Sequence, residues 1–109
     1  MKLSTPVILL TCAIAAPVGA QQTVAEVTEA QITEYKRSAA AGCQEGGKKK
    51  GDPQAMVDAF CGCLIDTLNK NMTPNEWRQV VLYSLNKQAE AEVKVLTPHL
   101  ARVKACLPQ

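Results

Sequence analysis

The most reactive side chains in this sequence belong to cysteines, four of which lie in residues 43–106 and a fifth, Cys12, near the start of the chain. Two of the four form the motif Cys61-Gly62-Cys63. Cys43 precedes the motif, and Cys106 follows it near the end of the chain. Cysteines in such a pattern can form structural disulfides, cycle as a redox pair, or bind a soft metal ion as thiolates. Each chemistry needs a different arrangement of sulfur atoms, so the element that carries the motif decides between them.

The motif falls in a stretch with helical periodicity, because apolar residues recur at spacings of three and four from Val57 to Leu68. Each residue of an α-helix is rotated by about 100° from the last, so the two motif cysteines point about 160° apart. While the helix is intact they can neither bond to each other nor chelate one ion. We predict two bridges, from Cys43 to one member of the pair and from Cys106 to the other. The sequence leaves open which member takes which partner.

The titratable side chains outside the motif form no recognisable catalytic pattern. His99, the only histidine, is expected near the surface in the first turn of the last helix. Asp58 and Asp66 are eight residues apart on one helix, about 12 Å along its axis, which is too far for a shared acid–base pair. These two carboxylates are predicted to lie on a polar helix face. We therefore predict no catalytic, metal-binding or cofactor-binding residue.

The first helix is predicted to begin at Thr28, where the spacing to Gln31 matches a capping box. Apolar residues continue at helical spacing as far as Gly42, which is expected to end the helix. Residues 44–52 are rich in glycine and contain the lysine triplet 48–50. We expect them to form a solvated loop.

The later helices also have start signals. Asp52 and Pro53 predict the start of the second helix, with the aspartate as its N-cap. A Thr-Pro-Asn-Glu capping box at residues 73–76 predicts the third, with Trp77 in the core. The Thr-Pro pair at residues 97–98 repeats this signal and predicts a fourth helix, although one kinked helix over residues 86–107 also fits. No alternating strand pattern appears, so we expect an all-α fold: a compact bundle of about four short helices stapled by two disulfides.

Residues 1–20 match a secretory signal peptide, with a positive charge at Lys2, a short apolar core and small residues before Ala20. We predict cleavage after Ala20 and a single domain over residues 21–109. Cys12 lies within the apolar core of the leader and is not counted with the other cysteines. The predicted location is the periplasm or the exterior, with no stable membrane span after cleavage.

The composition limits the classes of function. Removing 20 leader residues from 109 leaves 89, enough for one small domain. One of the 12 basic residues lies in the leader, so 11 basic residues face 10 acidic ones. This balance does not predict nucleic-acid binding. Four cysteines in a small exported chain predict disulfides.

The order of Cys43, Phe60-Cys61-Gly62-Cys63 and Cys106, with an acidic residue soon after the pair, resembles a pattern in small exported proteobacterial proteins. The resemblance covers most of the chain after the leader but depends on few positions. It implies a periplasmic helical fold with bridged cysteines. It implies no catalytic residue and no ligand.

These observations predict a non-enzymatic protein that binds a protein partner or serves in the cell envelope. One alternative is a thiol redox or soft-metal function of Cys61 and Cys63. Another is a carrier for a small apolar ligand, held in a cavity surrounded by Tyr35, Phe60 and Trp77.

Overall fold

The computed structural model describes residues 22–107, which form an all-α fold and contain no strand. Two disulfides staple this bundle. The fold class predicted from the sequence is therefore confirmed. The predicted signal peptide, residues 1–20, and Cys12 lie outside the described residues. The elements in chain order are a 3₁₀ turn Val24–Glu26, α1 Glu29–Lys50, α2 Gln54–Asn71, α3 Pro74–Leu85, α4 Ala89–Val103 and a 3₁₀ turn Lys104–Cys106.

Helix α1 begins as predicted and ends later than predicted. The Thr28 hydroxyl accepts a hydrogen bond from the Gln31 amide, which completes the capping box. The helix continues through Gly42 and ends at Gly51, whose φ of 78° is left-handed. The loop predicted for residues 44–52 is therefore wrong over most of its length. The amides of residues 51 and 52 donate hydrogen bonds to carbonyls in the last turn of α1. These two hydrogen bonds form a Schellman motif, which ends the helix there.

The N-cap of α2 lies one residue after the predicted cap, Asp52. This N-cap is Pro53, whose carbonyl accepts bonds from the amides of Met56 and Val57. Asp52 precedes this cap, and its amide donates to the Gly47 carbonyl at the end of α1. The connection between the two helices is therefore tighter than the sequence suggested.

The break between the last two helices does not occur at Pro98. It occurs at residues 86–88, where Lys87 takes a left-handed φ of 57°. Pro98 lies inside α4, so the predicted helix start at Thr97 is wrong. The Thr97 hydroxyl donates to the Val93 carbonyl at 2.7 Å instead of capping a new helix.

The helices pack around one apolar core. Val80 is fully buried, and Trp77 packs edge-on against Tyr35 with ring centroids 6.3 Å apart. The capping box at Thr73 forms as predicted and sets the start of α3, which carries these core residues inward. The buried core consists of Val27, Ile32, Leu68, Met72, Trp77, Val80, Val81 and Val103.

Candidate functional site

Two disulfides join α2 to its neighbours on opposite sides. Cys43 of α1 is bonded to Cys61, with a Cα–Cα distance of 5.8 Å. Cys106 of the last 3₁₀ turn is bonded to Cys63, with a Cα–Cα distance of 5.7 Å. The structure thus decides the pairing that the sequence left open. By loop closure, separations of 18 and 43 residues correspond to about 3 and 4 kcal/mol of stabilisation.

An apolar groove of about 300 Å³ lies between the second half of α1 and the first half of α2. One side is open to solvent. The exposed α2 side chain Met56 and the C-terminal Leu107 retain 45% and 51% of their accessible surface. The groove is lined by Gly42, Cys43, Gly46, Gly47, Lys50, Asp52, Met56, Val57, Phe60, Cys61 and Leu107.

Three of the five α1 residues that line the groove are glycines. Gly42 and Gly46 are four residues apart on α1, and a Cβ atom built on either would meet no atom within 4 Å. Their missing side chains therefore leave the groove open. Gly47 differs, because a Cβ there would lie 2.5 Å from a methyl group of Val57. This third glycine lets α1 and α2 approach closely.

The two disulfides hold the groove together. The Cys43–Cys61 bridge lies in its wall and ties α1 to α2, and Cys61 retains only 4% of its accessible surface. The bridge from Cys106 to Cys63 places the following residue, Leu107, at the groove. The α1 wall and the segment that carries Leu107 are therefore both linked to α2 by a disulfide.

The lysine triplet lies at one end of the groove. Residues 48–50 form the last turn of α1 and are exposed, where positive charge offsets the negative end of the helix dipole. Lys50 lines the groove, and Asp52 is the acidic residue that lines the same end. The expected solvent exposure of the lysines agrees with the structure, although they belong to a helix and not to a loop.

A second depression, of about 340 Å³, lies between α1 and α3. Tyr35 lines it, and the phenol of this residue donates a hydrogen bond to the Glu92 carboxylate of α4. Burial, and then this bond, raise the pKa of Tyr35. Trp77 packs against Tyr35 in the core and Phe60 lines the α1–α2 groove, so the three rings predicted to surround one cavity do not line either depression together.

His99 is less exposed than the sequence suggested. Its side chain retains 12% of its accessible surface, and its Nε2 lies 3.0 Å from the Glu76 carboxylate of α3. The other Glu76 oxygen accepts a hydrogen bond from the Thr73 amide at 2.9 Å. That amide, and then His99, lower the pKa of Glu76. The contact between His99 and Glu76 connects the start of α3 to α4 and contributes to the packing of these two helices.

The remaining sequence candidates lie on the surface, as expected. Asp58 accepts hydrogen bonds from Gln44 and Gln54, each at 2.9 Å, and these bonds lower its pKa. Asp66 lies 3.9 Å from Lys70 on the same helix. The two aspartates therefore have separate partners and form no acid–base pair.

Sequence reasoning missed the groove. The sequence predicts the apolar positions of α2 from Val57 to Leu68, and it predicts a helix end at Gly42. The available signal was the spacing of Gly42 and Gly46, which places two glycines on one face if the helix continues. The position of Leu107 depends on the Cys63–Cys106 pairing and has no local signal.

None of the helices within residues 22–107 is long and apolar enough to cross a membrane. The same residues contain no group of three or more histidine, cysteine or acidic side chains arranged to hold a metal ion. Comparison with protein-family models, curated proteins and solved structures finds no match for this chain.

Proposed function

We propose that this chain is an exported, non-catalytic binding domain, periplasmic or secreted, that holds its partner in the α1–α2 groove. The observation that carries the proposal is the groove itself, an apolar depression open to solvent on a small covalently stapled scaffold. Apolar depressions with a few charged groups at one end are the usual form of binding sites. Exposed apolar side chains such as Met56 and Leu107 favour contact with a partner.

The staples support a binding function because they reduce the cost of ordering the site. A groove whose walls are already fixed loses less conformational entropy when its partner binds. The Cys43–Cys61 bridge holds the α1 wall against α2, and the Cys63–Cys106 bridge restricts Leu107. The binding surface is therefore largely formed before the partner arrives.

Export is supported by the leader pattern of residues 1–20 and by the two cysteine pairs, which are at bonding distance. Disulfides form and persist mainly in oxidising compartments. The test is an intact mass of the protein isolated from its host, with thiols alkylated before and after reduction. Export predicts a mass without residues 1–20 and four cysteines that react only after reduction. An uncleaved chain with reactive thiols would contradict it.

The same experiment tests the alternative thiol or soft-metal function. That function predicts free or readily reduced thiols at Cys61 and Cys63 in the isolated protein, and free thiols would react before any reductant is added. In the structure these two cysteines are bonded to Cys43 and Cys106. No observation favours the alternative, and it stays a prediction.

Binding in the groove is tested by a photo-crosslinking residue placed at Met56 in cells that make the protein. The control carries the same group at Asn69, which is exposed on α2 but does not line the groove. We expect adducts from position 56 and none from position 69. Equal labelling at both positions, or none at either, would contradict the proposed use of the groove.

A further inference from the structure

We infer that the occupant of the α1–α2 groove is a medium-chain fatty-acid anion, with its chain along the glycine wall and its carboxylate at Lys50. This inference rests on the proposed function, because it names the ligand class of the same groove. Three features of the groove carry it: the character of its walls, its length, and the charge at one end.

The walls suit a thin hydrocarbon chain. On α1, Gly42 and Gly46 present helical backbone and no side chain, so a chain can lie close to the helix. On the other side, Met56, Phe60 and Leu107 offer flexible or flat apolar surfaces. A methylene chain loses little by contact with backbone groups that are already bonded within the helix.

The length of the groove sets the length of the chain. Gly42 and Lys50 are eight residues apart on α1, which corresponds to about 12 Å at the helical rise of 1.5 Å. An extended alkyl chain with C–C bonds of about 1.5 Å advances by about 1.25 Å per carbon. A chain of about ten carbons therefore spans the distance between the glycine wall and the lysine.

The charge at the Lys50 end favours an anion over a cation. The last turn of α1 carries three exposed lysines, of which Lys50 lines the groove, against the single Asp52 carboxylate that lines the same end. The depression between α1 and α3 offers no such match, because Glu34 is the charged side chain that lines it. An amphiphile with a carboxylate head is therefore complementary to the first groove and not to the second.

The inference is tested by calorimetric titration of the purified disulfide-bonded protein with fatty acids of six to fourteen carbons, below their micelle concentrations. Because the groove is open on one side, each added methylene buries about half its surface. The affinity should then rise about twofold per methylene up to about ten carbons, and level off beyond. Decyltrimethylammonium, which carries the opposite charge on the same chain, should bind more weakly than decanoate.

Two matched pairs of variants locate the site. Gly46→Leu fills the groove and should weaken decanoate binding by about tenfold, the loss of three to four buried methylenes. Gly62→Leu, at an α2 position with equal space for a Cβ outside the groove, should leave binding unchanged. Lys50→Gln should weaken binding by about two- to fivefold, as for an exposed ion pair. Lys48→Gln changes the net charge equally but does not line the groove, and should have less than about half that effect.

Decanoate binding that is insensitive to Gly46→Leu, or equal affinity for decyltrimethylammonium, would overturn the inference. A protein adduct at position 56 together with no decanoate binding would overturn it too, and would leave the proposed binding function standing. The absence of both decanoate binding and any position-56 adduct would overturn both.

Discussion

Gly47 faces Val57 across the α1–α2 interface, and one added methyl group there tests how closely the two helices pack. A Cβ atom at Gly47 would lie 2.5 and 2.8 Å from the two Val57 methyl carbons and 3.2 Å from its Cβ. Val57 is buried, and its branched side chain has few alternative rotamers in a helix. The nearby Cys43–Cys61 bridge keeps the helices from separating. Gly47→Ala must therefore strain the interface.

The neighbouring residue provides the reference. Gly46→Ala adds a methyl group into open space and should stabilise the protein by about 1 kcal/mol, the helix-propensity difference between alanine and glycine. Gly47→Ala gains the same propensity but incurs an overpacking cost of about 1–3 kcal/mol. The two variants should therefore differ by about 1–3 kcal/mol. That corresponds to a difference in Tm of at least about 4 °C for a domain of this size.

The assay is thermal and urea unfolding of both variants with the disulfides intact, followed by far-ultraviolet circular dichroism. Val57→Ala, which removes the two clashing methyl groups, should cost less in the Gly47→Ala background than alone, with a coupling energy above about 0.5 kcal/mol. If Gly47→Ala and Gly46→Ala are equally stable, or if the coupling energy is zero, the close approach at Gly47 is refuted.

Three further perturbations test other contacts. Thr73→Ala removes the hydroxyl that accepts from the Glu76 amide at 3.1 Å, and should cost about 1 kcal/mol in urea unfolding. Because the pKa of Glu76 is lowered in the fold, its charge stabilises the protein above the ordinary glutamate pKa of about 4, and this stability is lost as the pH falls through the lower folded value. Glu76→Gln should therefore flatten the acid limb of the stability curve, and an unchanged limb would contradict this. The raised pKa of Tyr35 changes the stability in the opposite direction. The fold stabilises the neutral phenol, so this contribution is present below pH about 10 and is lost at higher pH. The ultraviolet titration difference between wild type and Tyr35→Phe should have its midpoint above 10, and a midpoint at the ordinary value would contradict the contact with Glu92.

Capping residues could be located from the sequence because a cap depends on a few adjacent residues. The boxes that begin at Thr28 and Thr73 form in the structure with the expected bonds. Asp52 does not cap α2, because the N-cap is Pro53 and the Asp52 amide belongs to the motif that ends α1. Thr97 caps no helix, because it lies inside α4 and its hydroxyl donates to the Val93 carbonyl. In both cases the bounds of the helices, which depend on the whole fold, decided the role of the residue.

The glycines of α1 show where propensity misleads. Gly42 was expected to end the helix, because an isolated helix weakens at glycine by about 1 kcal/mol relative to alanine. In the fold, the Cys43–Cys61 bridge and the contact between Gly47 and Val57 hold this region against α2. Tertiary contacts outweigh the local cost, and α1 continues to Lys50.

By itself the sequence determined the all-α class and the placement of Cys61 and Cys63 on opposite flanks of one helix, because helical periodicity depends only on spacing. Tertiary structure alone decided that Cys43 pairs with Cys61, how far α1 extends, and that Leu107 and Met56 line one groove. These features join residues far apart in the chain. Their energies come from contacts that form only when the helices are packed together, so local spacing carries no record of them.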